Sequence, residues 1–277
     1  MDHQGSYQVN TIASSLEKEI NRLKGQVELF WEKELKHYME LGLSDGMSIV
    51  ELGSGPGFLT EKILEKFPDL RITCIEMDPI FVDYARTYLS KKKYYQCEII
   101  QKSIMDTGLE ENTFDFAITR LLLEHLPDPV NAVREVFRVL KPGGKSLFID
   151  NDFEMHIMAH PHIPELRELY DAYCQSRYSE GGNPKIGREL PYLLKKGGFQ
   201  NVDFEIISAH SEIVGEESFA RSEGIGIPSK LVQDKFLSSK TLGKISLGWR
   251  KMLKTEGHCI VRQLYMAVGE KSLQREG

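Results

Sequence analysis

Two carboxylates and three glycines mark the first stretch of this 277-residue chain whose residue types and spacing could do chemistry. In "IVELGSGPGFLTEKIL", residues 49–64, an apolar run leads into Gly53, Ser54, Gly55 and Gly57 and then into a helical pattern, with Glu51 two residues ahead of the first glycine. Glycines in a strand-to-helix turn permit positive φ and let the backbone approach a ligand, and the helix that follows offers free N–H groups. A dinucleotide or a sulfonium nucleoside could sit on such a turn. The spacing is G-x-G-x-G, and Phe58 stands where the dinucleotide fingerprint G-x-G-x-x-G has its last glycine. A carboxylate at Glu51 suits a ligand that carries an ammonium group and repels a pyrophosphate; the plain alternative is a strand-end glutamate that caps the turn. Glu76, in "CIEMDP", lies 19 residues past Gly57, counted along the chain. An acidic side chain at about that separation meets a ribose diol in nucleotide-binding βαβ units, so Glu76 serves both ligand classes. Met77 and Asp78 then fall near the adenine and the start of the next helix.

Open parallel sheets gather their ligands at the carboxyl ends of the strands, which directs attention to the ends of the fourth and fifth strand candidates. His125 in "LLLEHLPDP" follows the fourth, and Asp150, Asn151 and Asp152 end the fifth. His125 can equally be a packing residue, and one of the three polar residues can serve only as a cap. "HIMAHPH" supplies His156, His160 and His162, and His-x-x-x-His on a helix would point two imidazoles the same way. Pro161 interrupts that helix and no cysteine or second acidic pair completes a set, so no metal is expected; each histidine remains a candidate base or donor.

The elements that must position these residues read as alternating units. The strand candidates are "SIVELG", "RITCIEM", "CEIIQ", "FDFAIT" and "KSLFIDND", with helices "FLTEKILEKF", "FVDYARTYL" and "VNAVREVFRVL" between them. That order implies βαβ units and a parallel sheet covered on both faces. "KPGG" is expected to end the last of these helices. Ahead of them, apolar residues spaced by threes and fours over 12–39 predict one or two helices, with Ser14 and Glu17 as a capping box. Beyond residue 153 come a helix with Tyr170, Tyr173 and Tyr178 on one face, a helix "GRELPYLLKK", a strand "NVDFEII", a glycine-punctuated stretch, and a closing strand "CIVRQLYMAVGE" placed beside the fifth.

The net charge of −6 argues against a partner held mainly by its phosphates. No apolar run approaches the roughly 18 residues that span a membrane, and the first residues lack the pattern of a secretory signal, so a cytoplasmic protein is expected. Cys74, Cys97, Cys174 and Cys259 are far apart in sequence and are expected as free thiols.

The successive motifs "VELGSGPGFLT", "CIEMDP", "QKSIMDTGLEENTFDFAITRLLLEHLPDP" and "VFRVLKPGG" resemble those of class I S-adenosylmethionine-dependent methyltransferases, in the right order over residues 47–152, in the style of the quinone and natural-product branch. The resemblance implies S-adenosylmethionine as cofactor, Glu51 and Gly53–Gly57 at its methionine portion, and Glu76 on the ribose hydroxyls. It puts Ser103 and Ile104 beside the adenine, although many members have aspartate at the Ser103 position. It puts Arg120 beside the methionine carboxylate or the transferring methyl through its backbone, and His125 near that methyl. The first helix resembles a lid from which Arg22, Gln26 or Tyr7 could reach the cofactor carboxylate.

The expected fold is therefore α/β: a Rossmann-like, seven-stranded, mainly parallel sheet whose last strand is antiparallel, with helices on both faces. Residues 1–46 form a helical cap and 47–277 the methyltransferase domain, with lid or substrate insertions at about 153–185 and 208–257. The expected reaction transfers a methyl group to a small-molecule acceptor, with His125, Asp152 and His156 as catalytic candidates. The absence of an "NPPY" or "DPPY" tetrapeptide after strand four, where "TRLL" stands, speaks against a nucleic-acid acceptor. A protein or RNA acceptor, a nicotinamide-dependent oxidoreductase and a pure binding module are the rivals, and a homo-oligomer is left open.

Overall fold

A computed structural model describes residues 16–223 and 226–273. Helix α1 (Leu16–Glu40) precedes β1 (Ser48–Leu52), α2 (Phe58–Lys66), β2 (Arg71–Glu76), α3 (Pro79–Lys91), β3 (Cys97–Gln101) and β4 (Phe114–Arg120). A 3-10 turn (Leu123–His125), α4 (Pro129–Val139) and β5 (Leu140–Asp150) follow. Then come β6 (Ile157–His160), α5 (Leu166–Ser179), α6 (Leu190–Gly197) and β7 (Gln200–His210). Four helices, α7 (Ser211–Val214), α8 (Glu216–Glu223), α9 (Gly226–Gln233) and α10 (Ser239–Met252), lead to β8 (Cys259–Glu270).

The strands make one sheet in the order β3-β2-β1-β4-β5-β8, with β7 on the far edge of β8. The first five run parallel, and β8 is antiparallel to both its neighbours. An eighth strand, β6, corrects the expected count of seven. It pairs with residues 259–262 of β8 while β5 pairs with 265–270, so β6 continues the line of β5 along the same edge. The histidines of "HIMAHPH" thus lie on and beside a strand, not on a helical face, and His160 and His162 are exposed.

Side-chain alternation sends each parallel strand into two cores, as expected for a sheet covered on both faces. Ile49, Phe116, Ile118 and Ile149 pack with Phe30 of α1 and Ile63 of α2. Val50, Leu52, Ala117 and Phe148 pack with Val133 and Val136 of α4 and Leu194 of α6. "KPGG" is drawn into β5 rather than capping a helix: Gly143 takes φ 80°, and the β4–β5 register shifts between Phe114 and Phe116.

Helix α1 is one continuous helix of 25 residues packed on one face of the sheet. It is tied there by Arg120, whose guanidinium bonds Glu34 at 3.0 Å and the Gln26 carbonyl at 2.8 Å, and by Arg221 on α8, which bonds Glu28 at 2.9 Å. The expected Ser14 cap and Tyr7 lie outside the described residues. Among the described residues no helix is long and apolar enough to cross a membrane.

Candidate functional site

The glycine turn folds as a run of left-handed residues: φ is 73° at Gly53, 53° at Gly55 and 84° at Gly57. The three do different work. A Cβ on Gly53 would meet the Leu122 side chain at 2.7 Å, and one on Gly57 would meet Leu89 of α3 at 3.0 Å, whereas one on Gly55 meets nothing within 4 Å. Gly55 therefore faces the space a ligand needs. Gly57, expected to bind the cofactor, instead brings α2 and α3 together and lies outside the lining of the cavity described next.

That cavity, of about 430 Å³, opens at the carboxyl ends of the strands. Of the residues singled out in the sequence, Glu51, Gly53, Ser54, Gly55, Glu76, Met77, Ser103, Ile104, Arg120 and Gln26 line it. Glu76 is held by two backbone donors, Gly55 N–H to Oε2 and Asp78 N–H to Oε1, each at 2.8 Å. A carboxylate has about four lone-pair sites, so it keeps acceptor capacity on the cavity side. Ser54 Oγ is buried with no hydrogen-bond partner among the described residues. The Ser103 hydroxyl accepts from the Met105 N–H at 3.1 Å, which fixes the loop where an adenine would lie.

At the β1 end, Glu51 is buried and accepts from the Thr60 hydroxyl at 2.6 Å. Burial pushes its carboxyl up to about 7, against the Thr60 bond and the charge of Arg120. A buried carboxyl balanced between its two forms ionises when a cation arrives beside it. The Arg120 guanidinium is bound through Nε and Nη2 to Glu34 and through Nη2 to the Gln26 carbonyl.

The other half of the cavity is built from more distant elements. Glu124 and His125 come from the 3-10 turn after β4, Asn151 and Phe153 from beyond β5, His156 from before β6, and Tyr173 from α5. Phe153 stacks on His156 at 4.3 Å and lies 4.1 Å from Tyr173, giving an aromatic wall. Burial together with the charges of Arg177 and Arg22 pulls His125 down to about 3, which favours the neutral imidazole. His156 Nε2 is 3.2 Å from Glu223 Oε2. Burial alone would raise Glu223, yet Arg262 and His156 pull it down to about 2.

Asp152, expected as a catalytic group, is not in the lining. Both of its carboxylate oxygens are taken by Arg188, 36 residues on, and it caps the turn at Glu154. Asp150 likewise turns inward, accepting from the backbone N–H groups of Glu124 and Asn151.

The sequence reading missed Glu124. Its Oε1 accepts from Asn151 Nδ2 at 2.7 Å, while Oε2 is buried with no partner among the described residues. Burial pushes it up to about 7, opposed by the Asn151 bond and by the charges of Arg177, Arg22 and Arg262. The one available signal was its place beside His125 at the end of a strand.

An open, doubly covered sheet with a glycine turn after β1 and a ribose-type carboxylate after β2 defines a nucleoside-binding α/β domain. Residues 50–148 match the family described as a methyltransferase domain. Over that segment, about a third of the chain, the sequence is similar to methyltransferase domains. It is 24% identical over 144 residues to a demethylmenaquinone methyltransferase of Listeria monocytogenes, covering 52% of this chain and 57% of that one. It is 28% identical over 152 residues to methyltransferase str2 of Strobilurus tenacellus, covering 54% and 53%. The chain therefore spans about half the length of these curated relatives. In structure it resembles phosphoethanolamine N-methyltransferase 2 of Haemonchus contortus with a TM-score of 0.61 at 17% identity, over 94% of this chain and 58% of that one. At that identity the likeness is one of fold.

Proposed function

We propose that this protein transfers the methyl group of S-adenosylmethionine to a small-molecule acceptor. The observation that carries the reading is one continuous cavity with two unlike halves, a glycine-and-carboxylate half on β1 and β2 and an aromatic, polar half beyond β4 and β5. The residues present fit the cofactor: the open space at Gly55, the unpartnered Ser54 hydroxyl and the spare acceptor capacity of Glu76 would hold an adenosyl group, and Glu51 would face its ammonium. When bound, that cofactor supplies a methyl group already activated on a sulfonium.

Methyl transfer is an in-line displacement, so the chain's tasks are alignment, water exclusion and, for a protic acceptor, removal of a proton. Phe153 and Tyr173 wall off the acceptor half. Glu124 is the proton acceptor in this reading, because its titration lies near neutrality and one oxygen is uncommitted. His125 then packs beside it and His156 positions Glu223. The demethylmenaquinone methyltransferase relative supports a small-molecule acceptor.

Incubation with methyl-labelled S-adenosylmethionine and a metabolite extract tests the proposal. Adenosylhomocysteine and label in the small-molecule fraction are expected. Label confined to protein or RNA would move the acceptor to those classes, and tight NADH binding without adenosylhomocysteine binding would move the enzyme class.

A further inference from the structure

Arg262 lies in the interior of the sheet, on β8, and is only 1% exposed. Its guanidinium sits over the Phe30 ring at 5.5 Å. Its contacts fall on Nη1, an ion pair with Glu223 Oε1 at 2.9 Å and a hydrogen bond donated to the Ser222 hydroxyl at 3.2 Å. The Nε atom is buried and has no partner among the described residues, and no bond to Nη2 occurs among them either. The Nε–Nη2 edge is the side of a guanidinium that grips a carboxylate or phosphate with two parallel bonds. Here that edge belongs to a residue in the cavity wall.

The position sets the edge apart from the adenosyl seat. In the sheet order, β8 is separated from β1 by β4 and β5. Three strand spacings of about 4.8 Å put it roughly 14 Å from the glycine turn, past the reach of an adenosyl group seated on Glu76. Arg22 and Arg177 also face this half of the cavity, paired with Glu19 and Glu180, which lie outside its lining, and Glu124 faces it as the nearest uncommitted carboxyl. The Glu223 carboxylate is already shared among Arg262, His156 and Ser222. A neutral, wholly apolar acceptor would leave the Nε and Nη2 donors buried and unmet, a cost that favours an oxyanion in their place.

We propose that the acceptor is an anionic small molecule with a flat or apolar body, its carboxylate or phosphate held by the Nε–Nη2 edge of Arg262 and its body against Phe153 and Tyr173. The proposal rests on the methyl-transfer reading, since it takes the far half of the cavity as the acceptor site.

The test saturates the protein with S-adenosylhomocysteine and then titrates it calorimetrically with benzoate, phenyl phosphate, neutral benzamide and cationic benzylamine. At least one of the two anions is expected to bind at least tenfold more tightly than benzamide, and which anion wins distinguishes a carboxylate from a phosphate acceptor. Arg262→Lys keeps a charge for Glu223 but lacks the fork; it should fold, hold S-adenosylhomocysteine as the parent does, and lose at least tenfold in anion affinity. Arg262→Gln should lose the anion preference altogether. Equal binding of benzamide and benzoate, preference for benzylamine, no anion binding up to tens of millimolar, or an anion affinity unchanged in Arg262→Lys would each overturn the proposal. So would a variant that loses S-adenosylhomocysteine instead, for Arg262 would then serve the cofactor. Failure of the parent protein to bind S-adenosylhomocysteine would strike the methyl-transfer reading itself.

Discussion

Glu76→Ala removes the one carboxylate that links the glycine turn to the end of β2. Its two oxygens hold the N–H groups of Gly55 and Asp78 at 2.8 Å each, and about two of four lone-pair sites remain for a pair of ribose hydroxyls. Hydrogen bonds to a charged acceptor are worth about 1.5–3 kcal/mol each where they are well buried. The site is part open, so the pair together is taken as about 2–3 kcal/mol, a loss of roughly 30- to 150-fold in affinity. The assay is calorimetric titration with S-adenosylhomocysteine, run beside thermal unfolding of the ligand-free protein. Loss of the two backbone bonds should lower Tm by only a few degrees for a chain of this length. Affinity within threefold of the parent, with Tm unchanged, would refute the assignment of the ribose to Glu76.

Glu51→Gln tests the buried carboxyl at the β1 end. Its folded pKa of about 7 lies above the ordinary value, so its contribution to stability is present at low pH and is lost as pH rises through 7. The parent should therefore lose up to about 3 kcal/mol relative to Glu51→Gln between pH 4.5 and 8, measured by denaturant unfolding of the ligand-free proteins; parallel curves would contradict this. Binding of the cationic cofactor should tighten over the same pH range in the parent and not in the variant. Gly55→Ala and Gly57→Ala should each lose about 1–2 kcal/mol of stability from their left-handed φ, but only Gly55→Ala should lower S-adenosylhomocysteine affinity, by at least tenfold. Equal effects on affinity would show that the open space at Gly55 is not the ligand's. Arg120→Leu leaves Glu34 buried without its cation and should destabilise the fold by about 3–5 kcal/mol; a Tm within a degree of the parent would mean that α1 is held by its apolar face alone.

The parallel sheet was legible because strand and helix periods differ and alternate between residues 48 and 150. The glycine-and-carboxylate half of the cavity was legible because its residues fall close together, Glu51 to Gly55 on one turn and Glu76 on the next strand. The acceptor half was not. Glu124 acquires meaning only through Asn151, 27 residues on, and Asp152 loses its expected role to Arg188, 36 residues on. No spacing rule reports such pairs. Arg262 did leave a trace, an arginine inside the apolar run "CIVRQLYMAVGE", which reads as an error in a strand until the cavity beside it is seen. The helices of 211–233 were hidden because each has eight residues or fewer, too short for a 3.6-residue period to stand out among glycines. Gly57 matched its motif by spacing and was reassigned by its neighbour Leu89.

The central claim, that one cavity joins an adenosylmethionine seat to an acceptor chamber, is tested most directly by a crystal structure of the protein grown with S-adenosylhomocysteine. The account predicts the adenine beside Ser103 and Ile104, both ribose hydroxyls on Glu76, the homocysteine end between Glu51 and the Arg120 backbone, and the sulfur facing Glu124 and Asn151. Ligand density away from Glu76, or a sulfur directed away from the chamber lined by Glu124 and Arg262, would contradict it.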